Sequence, residues 1–213
     1  MKKIVIIDYG CGNILNLVRA LDFLGYKSEA TKDKKKIINS SHLILPGVGA
    51  FGNAMQLLEK NDLIETIKEY VKFGKKPLLG ICLGMQVLLS KSKEHGIHKG
   101  LNLIEGEVIK IASSNQEKIK VPHIGWNEIY PNKDIKALDN KFFDKAIIGK
   151  SFYFVHSYIG ITTNPQFTLA SCNYSGVNIP SVIKSENIMG CQFHPEKSDK
   201  NGLKFLQNFC EIE

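Results

Sequence analysis

Apolar residues follow two different rhythms along this chain. In the first half, short apolar runs alternate with longer segments in which apolar residues recur every three or four positions. Ile4-Val5-Ile6-Ile7 is an unbroken apolar run, the pattern of a strand buried on both faces. Over residues 14–24, apolar side chains then fall at Ile14, Leu17, Val18 and Leu21, and Gly25 follows as a stop signal. The same alternation predicts strands near 27–31, 43–45 and 77–81 and helices over 53–73 and 83–90. The first of these helices is expected to break or re-cap at Asn61-Asp62 and to stop at Gly74. Repeated strand–helix units imply an α/β fold, a mostly parallel sheet with helices on both faces.

The second half is rich in strands, expected at 107–111, 127–130, 152–155, 167–172, 182–184 and 188–192, and a helix over 202–211 ends the pattern. The parallel sheet should therefore continue into an antiparallel extension. No internal repeat and no low-complexity linker divides the 213 residues, so a single domain spanning 1–213 is expected. In such sheets, sites form beyond the carboxyl ends of the strands. Asp8, Pro46, Cys82 and His194 all follow predicted strands.

The segment Gly80-Ile81-Cys82-Leu83-Gly84-Met85-Gln86 has the layout strand, sharp turn, helix. Its cysteine stands at the tip, with a glycine two residues to either side. This is the nucleophile-elbow pattern with a thiol in place of a hydroxyl. A Cβ at either glycine would collide where strand and helix cross, and a thiol at a helix N-terminus is favoured as thiolate. Far downstream, Gln192-Phe193-His194-Pro195-Glu196 supplies a histidine and a carboxylate. A nucleophilic cysteine needs a base, and the base needs a group that holds its tautomer. Cys82, His194 and Glu196 are the candidates for those three roles.

Pro46-Gly47-Val48-Gly49-Ala50-Phe51-Gly52 follows a strand and opens a helix. Its glycines expose amide N–H groups suited to an oxyanion, with the N–H of Val48 or Gly49 as one donor and that of Leu83 as the other. Gln86, four residues beyond Cys82, lies on the same helix face. Asp8-Tyr9-Gly10-Cys11-Gly12-Asn13 has a partial dinucleotide fingerprint, but the glycine required at position 15 is Leu15. His95 and His98 have metal-like spacing, yet a glycine lies between them and no further ligand pair is evident. They are read as loop histidines. His123 and His156 are read as structural, and Trp126 as either core or interface anchor.

Composition narrows the field. The hydrophobic fraction is 43%, enough for an ordinary core. No apolar run approaches the roughly 20 residues of a membrane span. The N-terminal run is too short and ends in Asp8, so it reads as a strand and not as a signal peptide. Five cysteines, odd in number and without a C-x-x-C pair, point to the reducing cytoplasm. The net charge is +7, but Arg19 is the only arginine and the lysines are dispersed, so no nucleic-acid partner is expected. The Lys32–Lys36 run reads as the solvated face of a short helix.

Taken together, Gly80–Gln86, Pro46–Gly49 and His194-Pro195-Glu196 resemble class I, triad-type glutamine amidotransferases. The narrower resemblance is to glutaminase subunits of imidazole glycerol phosphate synthases. Asp8–Asn13, Pro122–Asn127, Tyr153–Tyr158 and Gln192–Lys197 carry it, and only about residues 131–150 match no motif. The resemblance implies a flavodoxin-like fold and hydrolysis of L-glutamine at Cys82. The ammonia would pass to a cyclase partner of (β/α)8-barrel type in a heterodimer, with no metal or organic cofactor. It further implies substrate contacts from Gly47, Gly49, Leu83, Gln86, Glu94, His156, Ser157 and Tyr158, and a partner face bearing Asn13, Trp126, Tyr153 and Lys197. Rival readings are a cysteine peptidase of related fold, a non-catalytic binding subunit, and a paralogous glutaminase feeding a barrel partner in aminated surface-sugar synthesis.

Overall fold

The computed structural model describes residues 2–112, 119–132 and 146–212. Its first half runs β1 (Ile4–Ile7), α1 (Ile14–Phe23), β2 (Ser28–Thr31), α2 (Lys34–Ile38), β3 (His42–Gly47), α3 (Phe51–Lys60), α4 (Ile64–Lys72), β4 (Leu78–Cys82) and α5 (Leu83–Val87). The second half adds β5 (Lys91–Ser92), β6 (His98–Lys99), β7 (Gly106–Lys110), β8 (His123–Glu128), β9 (Tyr130–Pro131), β10 (Ser151–His156), β11 (Tyr158–Thr162), β12 (Thr168–Tyr174), β13 (Val177–Ser185), β14 (Ile188–Cys191) and α6 (Asp199–Cys210).

The main sheet has the order β2-β1-β3-β4-β14-β13-β12-β9. Its first five strands are parallel and the last three antiparallel. The parallel part repeats the doubly wound 2-1-3-4-5 order of flavodoxin-like sheets. Period-two alternation divides the β1 side chains between two cores. Ile4 and Ile6 join Leu17, Leu21, Phe205 and Phe209 on one face. Val5 and Ile7 join Phe51, Leu58, Ile67 and Met85 on the other. Helices α1 and α6 thus cover one face, and α3, α4 and α5 the other.

Several elements differ from the sequence reading, each for a physical reason. The expected long helix is two helices, separated by Asp62 with φ 54°. Asn61 ends the first by donating to Leu57 O at 2.8 Å. The expected helix 83–90 stops at Val87, because Leu88 and Leu89 bond back three residues and the chain turns into β5. A strand was expected at 127–130, whereas β8 begins at His123 and contains Trp126. Its polarity is inverted: His123 is buried while Ile124 and Trp126 are more than half exposed, so its apolar residues do not mark the inner face. Strand β11 was not anticipated because Gly160 interrupts its apolar run. That glycine fits closely against Leu89, whose Cδ1 would lie 2.7 Å from an added Cβ. Residues 133–145, within the stretch that matched no motif, lie outside the described residues.

Among the described residues there are two smaller sheets: β10 with β8, and β11-β7-β5-β6. Trp126 and Tyr153 are direct cross-strand partners in the first. His98 lies in β6 and not in a loop, and packs against Gly52. His95 sits in the preceding turn, 6.3 Å from the Tyr158 ring.

Candidate active site

Three neighbouring parallel strands deliver the reactive groups. In register, Gly47 at the end of β3 pairs with Cys82 at the end of β4, and Cys191 of β14 pairs with Ile81. The residues following β14 therefore emerge beside Cys82. One is Gln192, whose amide reaches Cys82, and two positions later comes His194. Parallel pairing of β14 with β4 brings residues 82 and 194 together across more than a hundred positions of sequence.

Cys82 stands at the N-cap of α5 with φ 55° and ψ −111°, a conformation that costs an L-residue backbone energy and is associated with functional turns. The flanking glycines make the turn possible. A Cβ on Gly84 would lie 1.8 Å from Leu45 O, and one on Gly80 2.6 Å from Gly84 O. Gly47 belongs to the same packing problem, since its Cβ would meet Gly84 N at 2.7 Å. It lets α5 approach β3.

His194 Nδ1 lies 2.8 Å from Glu196 Oε1, with both side chains almost fully buried, and the ring lines the same cavity as Cys82. Burial works against a charged ring. The interactions with Cys82 and Glu196, with their negative charge, outweigh it and raise the His194 pKa from 6.5 to about 10. Asn13 Nδ2 donates to the same carboxylate oxygen at 3.2 Å. Asn13 is the N-cap of α1, yet its side chain makes no capping bond. A residue type favoured for capping instead supports Glu196. The sequence reading placed Asn13 on a partner face; the residue is half-buried and its amide bonds Glu196.

A cavity of about 420 Å³ opens over Cys82, within the range of small-ligand sites. It is lined by Val48, Gly49, Leu83, Gln86, Glu94, Val155, His156, Ser157, Tyr158 and His194, among others. Gly49 has φ +99° and open space around its Cα. Glu94 is buried, and its Oε2 accepts from Phe51 N at 2.6 Å. This carboxylate supplies the cap that Ala50 cannot give α3 and anchors the glycine loop. His156 is held neutral by burial, which pushes its pKa down to about 3. Its Nδ1 faces Tyr158 O at 2.9 Å, a contact that requires N–H on that nitrogen.

Trp126 and Lys197, both exposed, cluster about the half-buried Tyr153. The two rings are 6.0 Å apart, and Lys197 Nζ lies 6.0 Å from the Tyr153 centroid. One buried residue in contact with the nucleophile was missed from sequence. Gln192 Nε2 lies 3.6 Å from Cys82 Sγ. The available signal was a polar residue ending the apolar run that precedes His194.

Fold, elbow and triad define a cysteine-dependent amidotransferase class, and the family model for class I glutamine amidotransferases matches residues 5–212. The chain belongs to that family. It is 42% identical over 214 residues to "Imidazole glycerol phosphate synthase subunit HisH 1" of Legionella pneumophila (strain Lens), covering all of both chains. It is 46% identical over 213 residues to "Imidazole glycerol phosphate synthase subunit HisH" of Methanosarcina barkeri (strain Fusaro / DSM 804), again over both full lengths. Among solved structures, that of PurLQS from Thermotoga maritima superposes with a TM-score of 0.71 at 16% identity, covering 98% of this chain and 97% of that one, which bears on the fold alone.

Proposed function

We propose that this chain is the glutaminase subunit of an imidazole glycerol phosphate synthase, hydrolysing L-glutamine and passing the ammonia to a (β/α)8-barrel cyclase in histidine biosynthesis. The observation that carries the reading is Cys82 on a strained elbow, sharing one cavity with a buried His194–Glu196 pair. The full-length relatives named HisH support the pathway. In that role the protein works in the cytoplasm as a heterodimer. Among the described residues, no helix is long and apolar enough to cross a membrane.

The mechanism uses groups of this chain and one water. His194, oriented by Glu196, takes the Cys82 proton. The thiolate attacks the side-chain amide carbon of glutamine, and the oxyanion is held by backbone N–H groups of Leu83 and of Gly49 or Val48. His194 then gives its proton to the leaving nitrogen, releasing ammonia and a γ-glutamyl thioester. Water, deprotonated by His194, hydrolyses the thioester to glutamate and regenerates the thiol. Glu94 pairs with the substrate α-ammonium, while Gln86 and the backbone of His156, Ser157 and Tyr158 hold its polar ends. Trp126, Tyr153 and Lys197 face the cyclase.

The test is the reconstituted complex assayed with glutamine or with an ammonium salt. Cys82→Ala should abolish product formation from glutamine and leave formation from ammonium intact. Loss of both activities in a folded complex would contradict this division of labour. Coupling only to a sugar-pathway barrel would favour the paralogue.

A further inference from the structure

A run of hydrogen bonds from the cavity rim to the nucleophile fixes which way one buried amide points. Tyr158 O can only accept. It faces His156 Nδ1 at 2.9 Å and receives Gln86 Nε2 at 2.9 Å. Gln86 therefore turns its amino group into this corner, and a second N–H from it reaches Gln192 Oε1 at 3.0 Å. With that oxygen engaged, the amino group of Gln192 is what faces Cys82 Sγ, at 3.6 Å. The opposite orientation would set two amino groups against each other and point an acceptor at the sulfur. Gln192 has no solvent exposure and Gln86 is 4% exposed, so water cannot stand in for a misplaced donor.

We propose that Gln192 is a catalytic residue: its amide N–H donates to Cys82 Sγ, favouring the thiolate and aiming it, alongside His194. The proposal rests on the reading of Cys82 as the nucleophile. It assigns a donor to the reacting atom itself, and it makes Gln86 the residue that sets that donor's orientation. The other titratable groups near the sulfur are Tyr9 after β1 and Cys191 on β14. Burial, first, and neighbouring negative charge raise both, so they stay neutral near neutral pH. Glu196 is paired with His194.

The test is site-resolved alkylation of the full chain by iodoacetamide, followed by mass spectrometry across the pH range. The protein contains its own references. Cys11 is half-buried in a loop, whereas Cys172, Cys191 and Cys210 are buried and should stay unlabelled while the fold is intact. Gln192→Met keeps an unbranched side chain and removes the donor. Cys82 labelling near neutral pH should fall about tenfold, the scale of a lost hydrogen bond to a charged group, and its rise should move to higher pH. Gln192→Glu, which turns a carboxylate on the sulfur, should slow labelling further. Gln86→Met should give a smaller decrease, because the Gln192 amide is then free to turn. Wild-type labelling of Cys82 in folded Gln192→Met would overturn the proposal. Should Gln192→Met expose the buried cysteines, unchanged labelling in Gln86→Met would overturn it instead. Labelling needs neither glutamine nor a partner. Failure of the glutaminase reading would therefore show separately, as normal labelling with no glutamine turnover by the complex.

Discussion

His194 is where the chemistry of this site is most concentrated. A buried imidazole ordinarily loses its charge, as His156 does in the same cavity. His194 keeps its charge because Cys82 and Glu196 both face it. The sign of the linkage follows. A histidine whose folded pKa is raised stabilises the fold fully below its ordinary value of 6.5, and that contribution is lost as the pH rises through about 10. Glu196→Gln removes one of the raising partners. The stability difference between wild type and Glu196→Gln, measured by urea unfolding, should therefore be largest near pH 6.5 and shrink toward pH 10. A difference that grows over that window would contradict the pair. At the same scale, Asn13→Ala removes the second donor to Glu196 Oε1. It should leave α1 nearly as stable, since Asn13 makes no side-chain cap bond, while lowering the rate of Cys82 alkylation. Unchanged alkylation with a destabilised helix would make Asn13 an ordinary cap.

The elements place these groups through close approach. Strand β4 and helix α5 cross over glycines, and Gly84 is the tightest point, with space for no side-chain atom. Gly84→Ala should cost about 4 kcal/mol or more, the range reserved for severe backbone or packing conflicts, read as a fall in Tm. A variant of near wild-type stability would mean that α5 can shift away from β3. By contrast, nothing crowds Gly49, but its φ of +99° is one that L side chains rarely adopt. Gly49→Ala should thus leave the fold intact and lower the glutaminase rate of the complex. The parallel half and the elbow were legible in the sequence because glycine spacing and apolar runs there are set by local geometry. The triad was legible because Cys82, His194 and Glu196 sit in motifs with unusual residue types. What escaped were features decided by neighbours. Strand β8 presents Ile124 and Trp126 outward. Strand β13 extends from Val177 through Pro180, where the sequence pattern marked only 182–184. Gln192 owes its contact with Cys82 to the β14–β4 register, which no local pattern reports. Gly47 has a packing role that its motif did not announce: α5 uses the space of its missing side chain.

At the scale of the whole molecule, a partly exposed aromatic cluster adjoins the site, since His194 N donates to Tyr153 O at 2.9 Å. Trp126 is 53% exposed, paired across strands with Tyr153, with Lys197 over the Tyr153 ring. Lys197 directly follows Glu196, so a partner gripping this cluster would act one residue from the triad. Trp and Tyr are typical anchors of binding energy, and truncating one commonly costs about 2 kcal/mol. Trp126→Ala should weaken binding to the cyclase at least roughly tenfold, measured by calorimetric titration, and should raise the ratio of glutamate to imidazole product. Unchanged affinity and ratio would move the interface elsewhere. The most direct measurement of the central claim is covalent capture. The reconstituted complex, loaded with cyclase ligand, is treated with a γ-electrophilic glutamine analogue and mapped by mass spectrometry. The account predicts one adduct per chain, on Cys82, blocked by excess glutamine and absent in His194→Ala over the same time. An adduct on another cysteine, or none on Cys82 while glutamine is still turned over, would contradict it.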